Sequence, residues 1–238
     1  MPNPIKLARK LSDDLKDIRF SEPVVVVYNP LKHAWKNHRE YLQKYASGRR
    51  EIVFLGMNPG PWGMAQTGVP FGDPQAVRDV LGINGQVKKP DIEHPKRPIL
   101  GCDSPRREVS GSRVWSWVHE NWGGLAAFSE RCVIMNYCPL AFLEASGRNR
   151  TPDKLPKAER DQLFEACDTA LRGRIAYHRP RIVIGFGTFA EKRAKGALGD
   201  MNVDIGRVLH PSPASPRANR GWPTEVALDL KALGIDWP

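Results

Sequence analysis

Four short segments dense in β-branched residues alternate along this chain with stretches of helical apolar spacing. The segments cover residues 51–55, 132–135, 181–184 and 205–209. Strands that alternate with helices form a mostly parallel sheet, which helices cover on both faces. The sequence therefore predicts an α/β fold of three layers, α/β/α, with a central four-stranded, mostly parallel sheet. A fifth strand-like segment, residues 24–28, is expected at an edge.

Local signals place helices between these strands. Asp73 followed by Pro74 is typical of an N-cap with proline at the first helical position. Thr188 and Glu191 have the spacing of a capping box, and Ser215 can cap a further short helix. We expect helices over the apolar stripe Leu7, Leu11, Leu15 and Ile18, from Pro74 to a stop at Gly82, around residues 114–122, over 159–177, from Thr188 to about Gly196, over 216–221 and over about 224–232.

Size and composition exclude several classes of protein. The 238 residues suit one large domain or two small ones, and we predict a single domain over residues 1–238. The apolar fraction of 41% favours a folded core over disorder. No stretch approaches the ~20 consecutive apolar residues of a membrane span, and the N-terminal residues lack a signal-peptide core. We therefore expect a monomer without membrane association in the cytoplasm, or in the nucleus where the source has one.

The formal net charge of +10 has two interpretations, plain solubility or attraction to a polyanion such as nucleic acid. Two basic regions, residues 83–113 and 148–157, are each either a functional patch or solvated surface. The cysteines do not have the spacing of a zinc or iron–sulfur site, so we predict buried reduced thiols, no metal and no cofactor. These cysteines are Cys102, Cys132, Cys138 and Cys167.

The loop after the first predicted sheet strand is unusually rich in glycine and proline. Because ligands of parallel α/β sheets bind at the carboxyl ends of the strands, this loop is a candidate site. It offers the Asn58 side chain, the backbone amides of Gly60 and Met64, and the Phe71 ring. The alternative is an ordinary turn with asparagine in a left-handed conformation.

Polar residues follow the other strands as well. Asn136, after the second strand, either reads a ligand or caps the next turn. Gly185-Phe-Gly187, after the third, is a tight turn or the start of an anion-binding helix. His210 opens a proline-rich loop after the fourth strand. The helix after this loop would present Arg217, Asn219 and Arg220 either to phosphates or to solvent.

Two of these loops resemble the site motifs of a known family, the single-strand-selective monofunctional uracil-DNA glycosylases. They are residues 56–72, GMNPGPWGMAQTGVPFG, and residues 210–222, HPSPASPRANRGW. Shorter matches extend the resemblance through most of the chain. They are Tyr28-Asn-Pro30 with Ala34-Trp35, Val109-Ser-Gly111, Asn136 with Cys138-Pro139-Leu140, and Gly185. The resemblance implies the uracil-DNA glycosylase fold.

The resemblance also implies roles for single residues. Asn58 takes the place of the catalytic asparagine that positions water, and His210 that of the histidine facing uracil O2. Asn136 reads the uracil edge, where its amide matches the O4 acceptor and the N3–H donor. Further substrate contacts are implied for Met57, Gly60, Met64 and Phe71, the last stacking on the base. DNA contacts are implied for Ser212, Pro213, Ala214, Ser215, Arg217, Asn219 and Arg220.

Three positions depart from better-known members of the family. Trp62 stands where they have phenylalanine. Ala214 and Ser215 stand where they carry arginine and asparagine in the segment that wedges into DNA. An alanine cannot plug the gap left by a flipped base, so this departure puts efficiency on duplex DNA in question.

The sequence predicts a DNA repair enzyme that flips uracil out of single- and double-stranded DNA and hydrolyses its N-glycosidic bond. Uracils with a C5 substituent are candidate further substrates. Neither site loop holds a lysine, which agrees with a monofunctional enzyme. Two alternatives stay open: a non-catalytic binder of single-stranded nucleic acid, and a hydrolase of free nucleosides.

Overall fold

The computed structural model describes residues 2–236, and over that range seven strands and ten α-helices follow one another. The strands are β1 Val24–Tyr28, β2 Ile52–Gly56, β3 Cys132–Asn136, β4 Ala141–Glu144, β5 Asn149–Arg150, β6 Ile182–Phe186 and β7 Asp204–Val208. The helices are α1 Pro4–Asp14, α2 Pro30–His33, α3 Trp35–Tyr45, α4 Met64–Thr67, α5 Pro74–Asp79, α6 Val109–Asn121, α7 Leu125–Arg131, α8 Lys157–His178, α9 Thr188–Leu198 and α10 Pro216–Ala232.

The central sheet has four parallel strands in the order β3-β2-β6-β7. Every residue of β2, β3 and β6 is buried, as expected for strands covered by helices on both faces. The predicted α/β/α fold is thus confirmed, with strand boundaries within two residues of those expected.

Residues 24–28 form a strand at a sheet edge, as predicted, but this edge does not belong to the central sheet. β1 is the edge strand of a separate antiparallel sheet of order β1-β4-β5. Its alternating burial, with Val24, Val26 and Tyr28 inside and Val25 exposed, is that of an antiparallel strand with one solvated face. The other two strands of this sheet, β4 and β5, are four and two residues long, which is too short for a periodic pattern in the sequence.

Most helix signals are confirmed. The Asp73 carboxylate accepts the Ala76 N–H at 3.2 Å and caps α5, and Ser215 Oγ accepts the Ala218 N–H at 3.3 Å at the start of α10. Gly221, with φ of +156°, breaks α10 into the two arms that the sequence predicts as separate helices. Ile18 lies beyond the end of α1.

The predicted capping box at Thr188 is wrong. Gly187 is the cap residue of α9, and no side chain bonds to the helix start. The Glu191 carboxylate instead accepts from Lys195 at 2.8 Å and pairs with Arg207 at 3.3 Å. Two cations therefore outcompete the backbone N–H for this carboxylate.

The apolar core is built around Phe54 in the central strand. Its ring stacks on Phe128 and Phe186 at centroid distances of 6.0 and 5.4 Å, with Trp117 at 5.9 Å edge-on. All four cysteines are buried and free, as predicted. Within residues 2–236, no helix combines the length and apolar character of a membrane span, and no three His, Cys, Asp or Glu side chains group to hold a metal ion.

Candidate active site

The carboxyl ends of β2 and β3 are held level with each other. Gly56 pairs with Asn136 in the sheet. The pairing continues beyond the strands, because Tyr137 N–H donates to Gly56 O and Cys138 N–H donates to Met57 O, each at 2.9 Å. A cleft of about 380 Å³ opens above these strand ends. It brings together eight of the predicted site residues: Met57, Asn58, Gly60, Met64, Phe71, Asn136, His210 and Ser212.

The Asn58 amide is oriented by one backbone carbonyl. Its Nδ2 donates to Leu140 O at 3.1 Å, with a longer contact of 3.4 Å to Pro59 O. These donor contacts assign the two ends of the amide, since only the nitrogen can donate to a carbonyl. Asn58 Oδ1 is left as an acceptor in the cleft, which suits holding a water molecule.

His210 is held as a neutral ring of one tautomer. The Ser212 N–H donates to His210 Nδ1 at 3.0 Å, so the ring proton is on Nε2. Burial lowers the pKa of His210 to about 4. The backbone of Leu209, the residue before His210, is held by two hydrogen bonds. Its N–H donates to the Asp229 carboxylate, and its carbonyl oxygen accepts from Trp222 Nε1, each at 2.8 Å. The site thus presents a fixed N–H donor without a positive charge.

The side chains of Phe71 and Asn136 lie against Gly56 at the end of β2, where a residue larger than glycine would not fit. A Cβ on Gly56 would overlap Asn136 Oδ1 and lie 2.6 Å from the Phe71 ring. Asn136 is buried, and its Nδ2 contacts Met64 Sδ at 3.3 Å. Sulfur is a weak acceptor, so this contact leaves the amide able to exchange it for a stronger partner. An aromatic face and an amide edge therefore meet in one slot.

Phe71 adopts a positive φ of +52°, which is uncommon outside glycine. Two contacts keep its backbone there. Trp115 Nε1 donates to Pro70 O at 3.2 Å, and α6 approaches so closely that a Cβ on Gly111 would overlap Phe71 O. The ring packs edge-on against Phe186 at 5.0 Å. The turn at Gly185-Phe-Gly187 thus packs against the aromatic wall of the cleft.

The cleft also contains residues that the sequence analysis missed, namely Pro59, Glu108, Ser110, Asn149 and Thr151. Glu108 is the N-cap of α6 and accepts the N–H groups of Ser110 and Gly111. Burial raises the pKa of this carboxyl. Asn149 Nδ2 donates to Pro59 O at 3.1 Å and ties the β4–β5 hairpin to the Asn58 loop. The Glu-Val-Ser-Gly helix start was a usable signal for Glu108.

Comparison with known proteins identifies the family of this chain. Residues 42–230 match the family model of the uracil DNA glycosylase superfamily. A single-strand selective monofunctional uracil-DNA glycosylase of Rattus norvegicus is 48% identical over 228 residues, covering 95% of this chain and 82% of that protein. The protein of the same description from Bos taurus is 46% identical over 243 residues, covering 98% of this chain and 89% of that protein.

The chain belongs to the single-strand selective monofunctional uracil-DNA glycosylase family. A solved structure agrees on the fold of this family member. The crystal structure of wild-type Pedobacter heparinus SMUG2 superposes with a TM-score of 0.68 at 21% identity, covering 96% of this chain and 97% of that chain.

In this glycosylase-family chain the segment predicted to wedge into DNA lies beside the cleft. Arg113 of α6 fixes it, donating to Pro211 O at 3.0 Å and to Asn219 Oδ1 at 2.9 Å. Asn219 Nδ2 in turn donates to Pro213 O at 2.8 Å. Asn219 is therefore occupied in bracing the segment, and Ala214 is left exposed between its ends.

The two arginines predicted to contact DNA differ in their surroundings. Arg217 forms an ion pair with Glu225 of the same helix. Arg220 is exposed, and no carboxylate pairs with it within residues 2–236. Of the two, Arg220 has the guanidinium group that can meet a phosphate without first breaking an ion pair.

Behind the cleft lies a further residue that sequence reasoning missed. Arg174 of α8 donates from Nη1 to the Asn136 backbone oxygen at 3.0 Å. Burial lowers the pKa of its guanidinium, and no carboxylate of the described residues pairs with it. A small cavity of about 30 Å³, large enough for one water, is lined by Arg174, His38 and His178.

Proposed function

We propose that this protein releases uracil from DNA by hydrolysing the bond between N1 of the base and C1′ of deoxyribose. The observation that carries the proposal is the meeting of Asn58, Asn136 and His210 with the Phe71 ring in one cleft. Each supplies a different requirement of the reaction: a water acceptor, a reader of the base edge, a neutral donor and a stacking face.

Base recognition precedes the chemistry. The target base has to leave the stack, which takes a few kcal/mol and less in a single strand. The base then enters between Phe71 and the Asn136 amide. Uracil offers an acceptor at O4 and a donor at N3, which match Nδ2 and Oδ1 of Asn136. Cytosine has an amino donor at C4 where uracil has the O4 acceptor, and its N3 carries no proton. The buried Asn136 amide would be left without hydrogen-bond partners, so cytosine is rejected.

Bond cleavage places positive charge on the sugar and negative charge on the leaving base. The electron pair of the N1–C1′ bond goes to uracil, whose O2 accepts a hydrogen bond from His210 Nε2–H. One such donor is typically worth ~2.7–4 kcal/mol of transition-state stabilisation. After the sugar cation has formed, a water held by Asn58 Oδ1 bonds to C1′ through its oxygen and loses one proton to bulk water. Asn58 acts by positioning, because an amide does not accept a proton at neutral pH.

The C5 side of the slot is formed by Gly60 and Met64. Neither backbone N–H donates to a protein acceptor in the described residues, so both amides can meet a water or a polar C5 substituent. A methyl group there would contact the Met64 backbone without a hydrogen bond. We therefore propose preference for uracil over thymine, with tolerance of small polar substituents at C5.

We further propose that the whole chain acts as one domain and a monomer on single- and double-stranded DNA in the cytoplasm, or in the nucleus where the source has one. One apolar cluster, from Leu11 to Ile235, supports the single domain. The remaining DNA contacts are assigned to the exposed wedge segment, residues 212–220. Because Ala214 adds little volume to the tip of the wedge segment, uracil release from duplex DNA should be slower than release from single-stranded DNA.

The test is base release from a labelled single-stranded oligonucleotide with one uracil, followed by alkali to cut abasic sites, beside Asn58→Ala. Cleavage only after alkali, reduced about 10²-fold or more in the variant, supports the proposal. Unchanged DNA binding without base release in either protein would favour a non-catalytic binder. Activity on deoxyuridine that is indifferent to salt would favour a nucleoside hydrolase, because binding to DNA weakens steeply with salt.

A further inference from the structure

Trp62, which lies in sequence between the cleft residues Gly60 and Met64, contacts two cations. It lies four residues after Asn58 and is partly exposed. The guanidinium carbon of Arg97 lies 5.1 Å from its ring centroid and that of Arg106 lies 5.3 Å away. Both distances are within the ~6 Å of a cation–π contact, for which tryptophan is the best aromatic partner. We call these three residues the tryptophan–arginine cluster.

The charges of the cluster are not neutralised by the protein. Arg107, next in sequence, pairs with Asp73 at 2.9 Å, and Arg150 nearby pairs with Glu144 at 2.8 Å. In contrast, neither cluster arginine pairs with a carboxylate anywhere in residues 2–236. Arg97 uses Nε and Nη1 on the backbone oxygens of Gly147 and Lys96, which leaves its Nη2 free.

The cluster and the wedge segment are tied to chain segments that follow opposite edge strands of the central sheet. The sheet order is β3-β2-β6-β7, and the wedge segment follows β7 at one edge. The β4–β5 hairpin follows β3 at the other edge, and Arg97 Nε bonds to Gly147 O in the turn of that hairpin at 2.9 Å. A strand laid across the carboxyl ends of the sheet therefore meets the wedge segment first and the cluster last, or the reverse.

We propose that the tryptophan–arginine cluster is a second DNA contact, which binds phosphates of the strand on the β3 side of the extruded uracil. This inference rests on the proposed function. Planar guanidinium groups match phosphate oxygens, and proteins that bind single strands line the path with such cations. Trp62 holds the two guanidinium groups in place before DNA arrives, which lowers the entropy lost on binding. Exposed Lys96 precedes Arg97 in sequence, and exposed Arg148 follows Gly147, whose backbone oxygen accepts from Arg97, so both extend the positive surface.

The first test measures the salt dependence of binding. Arg97→Gln/Arg106→Gln is compared with the parent in an Asn58→Ala background, which keeps a uracil-containing single strand intact. Each phosphate contact to a single strand contributes ~0.7 to the slope of log K against log salt, so the double variant should lose about 1.4. Trp62→Ala should lose part of that slope, and Trp62→Phe less. Arg49→Gln/Arg179→Gln, which removes two exposed positive charges before β2 and β6 at the opposite end of the sheet, is the matched control.

The second test locates the contact along the strand. Binding is repeated with oligonucleotides shortened on the 5′ side or on the 3′ side of uracil. The difference between the parent and the double variant should vanish with one truncation and persist with the other. An unchanged slope, or a difference that survives both truncations, would overturn the proposal.

A rate measurement separates this inference from the proposed function. With Asn58 restored, the double variant should raise KM for the single strand several-fold, because the cluster holds the DNA and does not touch the reacting atoms. A parent protein that releases no uracil would refute the proposed function, while the binding slopes would still decide whether the cluster contacts DNA.

Discussion

The Ser212 N–H donates to His210 Nδ1 at 3.0 Å, so the proton of the imidazole is on Nε2. This single bond decides what His210 can offer a substrate: a donor toward the cleft and no acceptor. A second proton on Nδ1 would face the Ser212 N–H, donor against donor. Geometry and burial thus both favour the neutral ring.

The first prediction concerns the rate at different pH. Because the pKa of His210 is lowered to about 4, the ring is neutral throughout the neutral range, and kcat should be flat from pH 6 to 8. It should fall only as pH approaches 4 and the ring becomes protonated. Single-turnover rates across this range check the profile. A rise or fall in rate centred near pH 6.5 would show an ordinary, solvated histidine instead.

Replacing His210 measures how much its ring contributes to kcat. His210→Ala should lower kcat by roughly 10²–10³-fold, the usual effect of removing one donor to developing charge. Binding of a uracil-containing single strand should change little. His119→Ala, an exposed histidine of α6, is the control and should leave kcat unchanged.

The second prediction concerns stability in acid. His38 and His178 are buried against backbone oxygens, Gly68 O at 2.7 Å and Gly48 O at 2.8 Å, and burial lowers the pKa of each to about 4. The unfolded chain binds protons at a higher pH than the folded one. The stability is therefore fully present above about pH 6.5 and is lost as pH falls toward 4, by up to about 3 kcal/mol per histidine.

Urea unfolding at pH 7, 5.5 and 4.5 measures this loss. His178→Gln should be less stable than the parent at pH 7 and should lose less on acidification. An equal pH dependence for parent and variant would mean that His178 does not contribute to the acid sensitivity.

The third prediction is that Gly56→Ala abolishes base release while the chain still folds. The added methyl forces Phe71 and Asn136 apart, and overpacking of this kind costs typically 1–3 kcal/mol of stability. The rate on uracil in a single strand and the midpoint of urea unfolding are measured together. Gly196→Ala is the matched control, because its Cβ meets nothing within 4 Å on helix α9, and both properties should be retained.

The fourth prediction is a gain of function. Ala214→Arg adds volume and charge at the exposed tip of the wedge segment, where better-known members of the family carry arginine. The rate on uracil in duplex DNA should rise more than the rate in a single strand, because only the duplex leaves a gap to fill. Ala126→Arg, on an exposed position of α7, controls for charge alone. Equal gains on both substrates would point to plain electrostatic attraction.

The fifth prediction concerns Arg174, which holds the Asn136 backbone at 3.0 Å. Arg174→Met removes that bond and should lower kcat/KM for uracil about tenfold, the effect of a misplaced recognition group. Arg174→Lys, which keeps a donor, should restore part of the loss. If both variants keep the parent kcat/KM, the bond to Asn136 does not position the amide.

Sequence reasoning predicted the cleft residues that lie at or just beyond the ends of the central strands. Asn58, Asn136 and His210 were predictable because parallel strands deliver their next residues to one edge of the sheet. Glu108 and Asn149 reach the cleft from an irregular connection and a two-residue strand, which have no periodic pattern. A signal existed for Arg174, since it falls three residues after Leu171 and four before His178 on the buried face of α8.

Gly56, the last residue of β2, is a useful position for comparing sequences that share this fold. Two side chains from different loops occupy the place of one methyl group at Gly56. A chain of this fold with alanine or a larger residue there cannot keep the ring and the amide in the same positions. The residue at this position therefore tells, from sequence alone, whether a chain of this fold has room for the arrangement of ring and amide seen in this cleft.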